Sequence, residues 1–253
     1  IDPYENVVFR FDEAVASESQ LNRWDPAQVV RFEPAVRGRF KWASDRELVF
    51  SPAEPFRPST AFKAEVRPEA LPSGKQKAKI SRTNFHTPYL RMSEPQVFWT
   101  SNGSEPQARL NAVFNYNVRP ADLRSRLSLT ANGQPVAFEV VSSEPDRVVG
   151  IRPTQPLIPG SLVALRVEPG LKPVGGGKGT AGKLEAEAPV PDPRQLQVRE
   201  LTGSLLNGEP VVTVLTDQPI AAQQAQAVVR VSPEVPFSVE ALESGFVLRG
   251  GFE

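Results

Sequence analysis

A run of prolines and apolar residues occurs twice in this chain, about a hundred positions apart. The first copy reads Phe50-Ser51-Pro52, Pro55-Phe56, Pro58-Ser59-Thr60, Phe62, Val66 and Pro68. The second copy reads Ile151-Arg152-Pro153, Pro156-Leu157, Pro159-Gly160-Ser161, Val163, Val167 and Pro169. The two copies align without a gap. An internal period of this length indicates an array of similar domains.

A second repeated feature is the strand that opens each unit, and it occurs three times. Its matching positions are Val7, Phe9, Phe11 and Val15, then Leu110, Ala112, Phe114 and Val118, then Val212, Val214, Thr216 and Ile220. Apolar and polar residues alternate around these positions, which is the pattern of a half-buried strand. We therefore predict three β-sandwich domains, at residues 1–92, 93–193 and 194–253, and call them repeats 1, 2 and 3.

The third predicted domain has no counterpart of the proline-rich run. Its Val247–Phe252 segment falls where repeats 1 and 2 have residues 48–50 and 149–151. We therefore expect a truncated third sandwich, in which the core-facing Val214, Phe246 and Leu248 are exposed to water.

Local signals predict the strands of the first two sandwiches. Asn132-Gly133 between residues 127–130 and 136–140 is typical of a two-residue hairpin turn. Residues 29–32, 40–42 and 48–50 are the counterpart in repeat 1, with a turn at 34–38 and Trp42 in the core. Proline cannot donate to a central ladder, so the repeated proline runs predict crossings between two sheets. The predicted fold is all-β, with tandem immunoglobulin-like sandwiches and helix confined to a turn or two.

Composition excludes several kinds of function. The 29 basic and 29 acidic residues balance, so no positive surplus indicates binding to nucleic acid. No apolar stretch approaches the ~20 residues that span a bilayer, so we expect no direct insertion into a membrane. The chain has no cysteine, which excludes disulfides and thiolate metal sites.

One segment resembles a nucleotide-binding loop. Residues 177–183, Gly-Lys-Gly-Thr-Ala-Gly-Lys, satisfy the first seven positions of the P-loop pattern. Leu184 then replaces the Ser or Thr that holds Mg²⁺, and prolines follow where a helix is needed. We interpret this segment as a mobile loop before the last strand of repeat 2, equivalent to Ser73-Gly74-Lys75 in repeat 1.

Other reactive side chains do not form a recognisable site. His86 is the only histidine, and no nucleophile motif accompanies it. The acidic pairs Asp12-Glu13 and Glu144 with Asp146 are interpreted as solvated charges at strand ends. We therefore predict no catalytic, cofactor-binding or metal-binding residues, no cofactor, and no enzyme activity.

Two further motifs lie near the start of repeat 2. Asn102-Gly103-Ser104 fits the N-glycosylation pattern, although a turn is the favoured interpretation. Phe98 and Trp99 follow Pro95, where one domain meets the next. They are interpreted as packing at a domain junction, and a platform for ligand stacking is the alternative.

The residues of repeat 1 resemble the amino-terminal region of bacterial alpha-2-macroglobulins. The resemblance rests on Phe9-Arg10-Phe11-Asp12, on residues 32–38, on Trp42, and on residues 48–58. Val167-Glu168-Pro169-Gly170-Leu171 before a glycine-rich loop is similar to a recurring ending in the same family. Bacterial immunoglobulin-like domains of S-layer proteins and adhesins share parts of this pattern.

The resemblance implies a bacterial multidomain protease inhibitor of the periplasm or cell surface, often a lipoprotein anchored through upstream residues. Its macroglobulin domains would form a structural scaffold that traps proteases after they cut a bait segment. The family's thioester requires a cysteine, so that chemistry would lie outside these residues. The expected partners are the rest of the same polypeptide and, for the whole protein, target proteases. An S-layer or adhesin stalk and accessory domains of a secreted enzyme remain alternatives.

Overall fold

The structure is a computed structural model that describes residues 1–25, 27–72, 82–102 and 105–252. Within these ranges the chain forms five antiparallel sheets and two short α-helices. The all-β prediction is confirmed. The chain divides into two compact units, unit 1 with Ile1–Leu90 and Lys172–Ala181 and unit 2 with Arg91–Leu171 and Gly182–Glu253. The three domain boundaries stay a prediction.

Unit 1 is a sandwich of two sheets. Its strands are β1 Val7–Arg10, β2 Trp24–Asp25, β3 Val30–Glu33, β4 Gly38–Ser44, β5 Glu47–Pro52, β6 Ala61–Val66 and β7 Arg82–His86. One sheet has the order β1-β5-β4-β2 and the other has the order β3-β6-β7. Single 3-10 turns occur at Glu18–Gln20 and Pro68–Ala70.

Aromatic side chains fill the core of unit 1. Phe32 of one sheet and Phe50 of the other have ring centroids 4.6 Å apart, so the sheets pack face to face. Trp42 belongs to the same core and is 7 % exposed, as the sequence predicted. Aromatic pairs at these separations stabilise a core beyond the area that they bury.

Unit 2 begins with a second sandwich. Its strands are β8 Gln96–Asn102, β9 Glu105–Val118, β10 Leu127–Ala131, β11 Gln134–Pro135, β12 Phe138–Val140, β13 Asp146–Pro153, β14 Leu162–Val167 and β15 Leu184–Pro189. The sheet orders are β12-β13-β9-β8 and β11-β10-β14-β15. Helix α1, Pro120–Arg124, follows β9.

Strand pairing repeats in the register that the sequence predicted. Phe9 pairs with Leu48 in repeat 1, and the matching residues Ala112 and Val149 pair in repeat 2. In both repeats the proline run joins one sheet to the other, because β5 leads to β6 and β13 leads to β14. The predicted crossings are confirmed.

The predicted hairpin at Asn132-Gly133 is present, but its second arm divides between two sheets. Both turn residues have positive φ, 46° and 78°, and Ala131 pairs with Gln134 across them. Strand β11 ends at Pro135, and β12 pairs with β13 of the facing sheet. The prediction of a single strand over 136–140 is therefore wrong at its start, because the strand begins at Phe138.

The counterpart in repeat 1 differs more from the prediction. Strands β3 and β4 form at the expected places, but they belong to different sheets and do not pair. Residues 34–37 therefore connect two sheets, and they are not a hairpin turn. Alternation alone could not distinguish these connections, since a strand has the same period in either sheet.

The third repeat is one sheet covered by a helix. Its strands are β16 Val198–Leu206, β17 Glu209–Thr216, β18 Phe237–Leu242 and β19 Gly245–Gly250, in the order β16-β17-β19-β18. Helix α2 spans Ala222–Val228, where alanine and glutamine favour a helix.

The predicted exposure of Val214, Phe246 and Leu248 is wrong. Each of these side chains is 5 % exposed or less, and they form a core with the fully buried Ala225 of α2. Alternation in the sequence did not predict a helix over this face.

Candidate functional site: a hydrogen-bonded junction in unit 2

Within unit 2, strand β8 of repeat 2 contacts the residue that follows β17 of repeat 3. The backbone N–H of Trp99 donates to the carbonyl of Asp217 at 2.7 Å. The indole Nε1 of Trp99 donates to the carbonyl of Pro191 at 2.9 Å, in the connector between β15 and β16. Two bonds from one residue therefore join three segments. The sequence had predicted that Trp99 packs where repeats 1 and 2 meet, whereas the bond to Asp217 connects it to repeat 3.

Asp217 is the second centre of this junction. Its N–H donates to the carbonyl of Gln197 at 3.0 Å, and its Oδ1 accepts the N–H of Gln197 at 2.7 Å. Asp217 is only 2 % exposed, and its Oδ2 has no hydrogen-bond partner among the described residues. A buried carboxylate is costly unless it is hydrogen-bonded. The N–H of Gln197 pairs with one of the two carboxylate oxygens of Asp217.

The charge next to this carboxylate is Arg199 on β16. Burial lowers the pKa of the Arg199 guanidinium, although the negative charges of Asp217, Glu200 and Glu94 oppose that shift. The guanidinium carbon lies 5.9 Å from the ring centroid of Phe98, within reach of a cation–π contact. Sequence reasoning did not identify Asp217 or Arg199, because their proximity depends on the pairing of β16 with β17.

A cavity of about 760 Å³ lies at this junction and is lined in part by Glu94, Pro159, Gln197, Arg199 and Asp217. A smaller cavity of about 170 Å³ adjoins Phe98, Arg199 and Thr216. The two cavities contain charges of both signs. The residues that line them include no histidine.

Unit 1 contains one further cavity among its described residues, with a volume of about 610 Å³. Core side chains such as Val30, Phe32 and Phe40 line it, and Arg67 and Glu69 lie at its polar part. Arg67 donates to Glu69 at 2.9 Å, and backbone and Arg67 hydrogen bonds lower the pKa of the exposed Glu69 carboxyl. This arrangement is an ordinary surface ion pair beside a core.

The P-loop-like segment does not have P-loop geometry. In unit 1, the N–H of Gly177 donates to Thr60 Oγ1 at 3.0 Å, and Ser59 Oγ donates to the carbonyl of Lys178 at 3.0 Å. Lys183 of unit 2 pairs with Glu168 at 3.2 Å, and a strand, not a helix, follows it. The expected loop is therefore held by hydrogen bonds, and its equivalent at 73–75 lies outside the described residues.

The side chain of His86 in unit 1 contacts residues next to it in the chain, while its carbonyl accepts the N-terminal ammonium of Ile1. Its Nδ1 lies 2.9 Å from the carbonyl of Thr87, and its ring stacks on Tyr89 with centroids 4.7 Å apart. The described residues contain no group of three acidic or histidine side chains that could hold a metal ion. His86 itself is exposed.

Two acidic pairs and a glycosylation motif were the remaining candidates in the sequence. Asp12, Glu13, Glu144 and Asp146 are all exposed, and Asp146 accepts the N–H of Arg147. Gly103 and Ser104 of the glycosylation motif lie outside the described residues. The structure therefore draws neither acidic pair into a buried cleft.

Fold and junction together define a multidomain protein of tandem immunoglobulin-like β-sandwiches. The chain is 24 % identical over 194 residues to an alpha-2-macroglobulin homologue of Yersinia pestis, a match that covers 72 % of the chain. The chain spans about a tenth of that relative's length. No family model matches the sequence.

Among solved structures, the chain is similar to the N-terminal part of the bacterial S-layer protein SbsC. The TM-score is 0.32 with 16 % identity, over 65 % of this chain and 41 % of the other. Among the described residues, no helix is long and apolar enough to cross a membrane.

Proposed function

We propose that this chain is a non-catalytic scaffold within a larger alpha-2-macroglobulin-like protein that traps proteases outside the cytoplasm. The observation that carries the proposal is the short hydrogen bond from the Trp99 N–H to the Asp217 carbonyl, which joins repeat 2 to repeat 3. A cage that encloses a protease needs domains held at fixed angles. The sequence similarity to the Yersinia pestis homologue supports the same assignment.

The absence of catalysis is part of this proposal. The candidate motifs are each incomplete, since the P-loop-like segment lacks its hydroxyl and its helix. We expect the purified chain to show no saturable ATP binding and no hydrolase activity. ATP binding that Lys183→Ala abolishes, with Lys172→Ala as the control, would contradict it.

The function of the larger protein needs its own experiment. A polypeptide that carries these repeats with its flanking regions is incubated with a protease, and the accessible activity is measured with a protein substrate and with a small peptide substrate. Trapping predicts loss of activity toward the protein substrate and retention toward the small peptide. Full activity toward both substrates, with assembly into a surface lattice, would instead favour a stalk.

A further inference from the structure

One sheet of repeat 2 has the same strand order as the sheet of repeat 3. The order β12-β13-β9-β8 corresponds to β18-β19-β17-β16. Strand β16 is therefore the equivalent of β8, and β17 is the equivalent of β9. In each case the long pair continues into a short helix, α1 or α2.

The pairing register matches individual residues on the two edge strands. Val97 pairs with Leu110 on β9, and Gly203 pairs with Val212 on β17. Since Val212 aligns with Leu110 in the sequence repeat, Gly203 takes the place of Val97. Trp99 lies two residues after Val97, and Leu205 lies two residues after Gly203, so Leu205 takes the place of Trp99.

These equivalent positions differ sharply in burial. Trp99 is 6 % exposed, while Leu205 is 74 % exposed. Leu201, which lies earlier on β16 and on the same face as Leu205, is 68 % exposed. Leu201 pairs with Val214, so it lies on the core face of the sheet. An apolar stripe on the core face of a long edge strand is the kind of surface that natural proteins cover or protect.

In repeat 2 the covering element is strand β15. It contacts β8, and the carbonyl of Pro191, just past the end of β15, accepts the indole N–H of Trp99. Strand β15 also pairs with β14, which pairs with β10. No strand of repeat 3 among the described residues occupies the place of β14 or β15.

A second observation concerns the segment after α2. Residues 229–231 follow α2 as β10 follows α1, and Val229 and Val231 pack partly buried against the core. Strand β10 pairs with β14, whereas 229–231 are in no strand of the described sheets. Among the described residues, segment 229–231 therefore lacks a partner like β14, and the stripe of Leu201 and Leu205 lacks a cover like β15.

We propose that one β-hairpin of the same polypeptide docks on this open face. It follows β19 in chain order, as β14 and β15 follow β13. Its first strand pairs beside 229–231, and its second strand covers Leu201 and Leu205. The hairpin carries alternating apolar side chains, as β14 does with the buried Val163, Leu165 and Val167. A much longer polypeptide, as in the relative that this chain matches over a tenth of its length, accommodates such a hairpin.

Footprinting of two chain lengths tests the proposal. Residues 1–253 and the same reading frame extended by about forty residues are labelled with hydroxyl radicals and analysed by mass spectrometry. We expect the labelling of Leu201 and Leu205 to fall several-fold in the longer chain. Leu206 points to the opposite face of β16 and should keep its labelling.

Matched variants add a second readout. Leu205→Ser should leave the melting temperature of residues 1–253 unchanged, because the side chain is exposed there, and should lower that of the longer chain. Leu206→Ser should change the melting temperature by the same amount at both chain lengths. Equal labelling of Leu205 at both lengths overturns the proposal, as does protection of Leu205 in residues 1–253 by self-association, measured by analytical ultracentrifugation.

Discussion

The backbone N–H of Trp99 lies 2.7 Å from the carbonyl of Asp217, more than a hundred positions away in the chain. Trp99 lies within the edge strand of one sheet, and Asp217 directly follows a strand of another. Because both residues are almost fully buried, this bond is protected from competition by water. It is the contact on which the proposed scaffold role depends.

Replacing the Asp217 side chain tests its separate hydrogen bond with Gln197 and leaves the carbonyl that accepts from Trp99 in place. Asp217→Ala removes the acceptor of the Gln197 N–H, and leaving a buried donor unpaired costs about 1–3 kcal/mol. Asp217→Asn keeps an acceptor oxygen at the same place, so its free energy of unfolding should fall by less. Urea unfolding of the two variants measures the difference. Equal losses would show that the bond from Gln197 contributes nothing.

Trp99→Phe tests the indole hydrogen bond without emptying the core. The ring remains, but the bond to the carbonyl of Pro191 is lost, so we expect a loss of about 0.5–1.5 kcal/mol in unfolding free energy. Trp24→Phe is the control, since Trp24 is 42 % exposed and stands beside Arg39 and Lys41. A loss as large in the control would contradict this explanation.

Gly160 tests the turn that both copies of the proline run share. Gly160 has φ of 79°, and its sequence equivalent Ser59 also has positive φ, at 49°. An added Cβ at Gly160 meets nothing within 4 Å, so Gly160→Ala should cost only the backbone strain of about 1–2 kcal/mol. Gly182→Ala, also in open space but without positive φ, should show no such loss in thermal unfolding.

The Asp192 and Arg194 pair predicts a pH dependence. The side-chain hydrogen bond from Arg194, and then its backbone N–H, lower the pKa of Asp192 from 3.8 to about 2. Since the folded pKa is below the unfolded one, the pair stabilises the fold above about pH 4, and that contribution disappears between 3.8 and 2. Carbon-detected NMR titration should show the Asp192 pKa rising toward 3.8 in Arg194→Ala. An unchanged pKa would exclude the side-chain bond as the main cause.

The sequence predicted the parts of the fold that repeat. Alternation located β1, β9 and β17, and the proline runs located the crossings, because these signals depend only on neighbouring residues. Pairing between sheets was harder to predict. Strands β3 and β4 have the alternation of a hairpin, yet they belong to different sheets, and no short-range pattern distinguishes the two cases.

The candidate site was predicted only in part. A proline and two aromatic residues at the start of repeat 2 predicted packing of Trp99 where repeats 1 and 2 meet, but nothing in the sequence predicted its bond to repeat 3. Asp217 and Arg199 carry no such signal, since a lone charged residue at a strand end is usually solvated. Helix α2 was missed for a related reason. Its seven residues are too few for a clear helical period, so the burial of Val214 beneath it could not be expected.

A scaffold function requires that repeats 2 and 3 tumble as one body. Residual dipolar couplings of backbone N–H groups in β9 and β13, and separately in β17 and β19, measure this directly. One common alignment tensor for the two sets is the predicted result, because the hydrogen bond from Trp99 to the Asp217 carbonyl joins the two repeats. Two different tensors in the unaltered protein would contradict a fixed junction and, with it, the scaffold role.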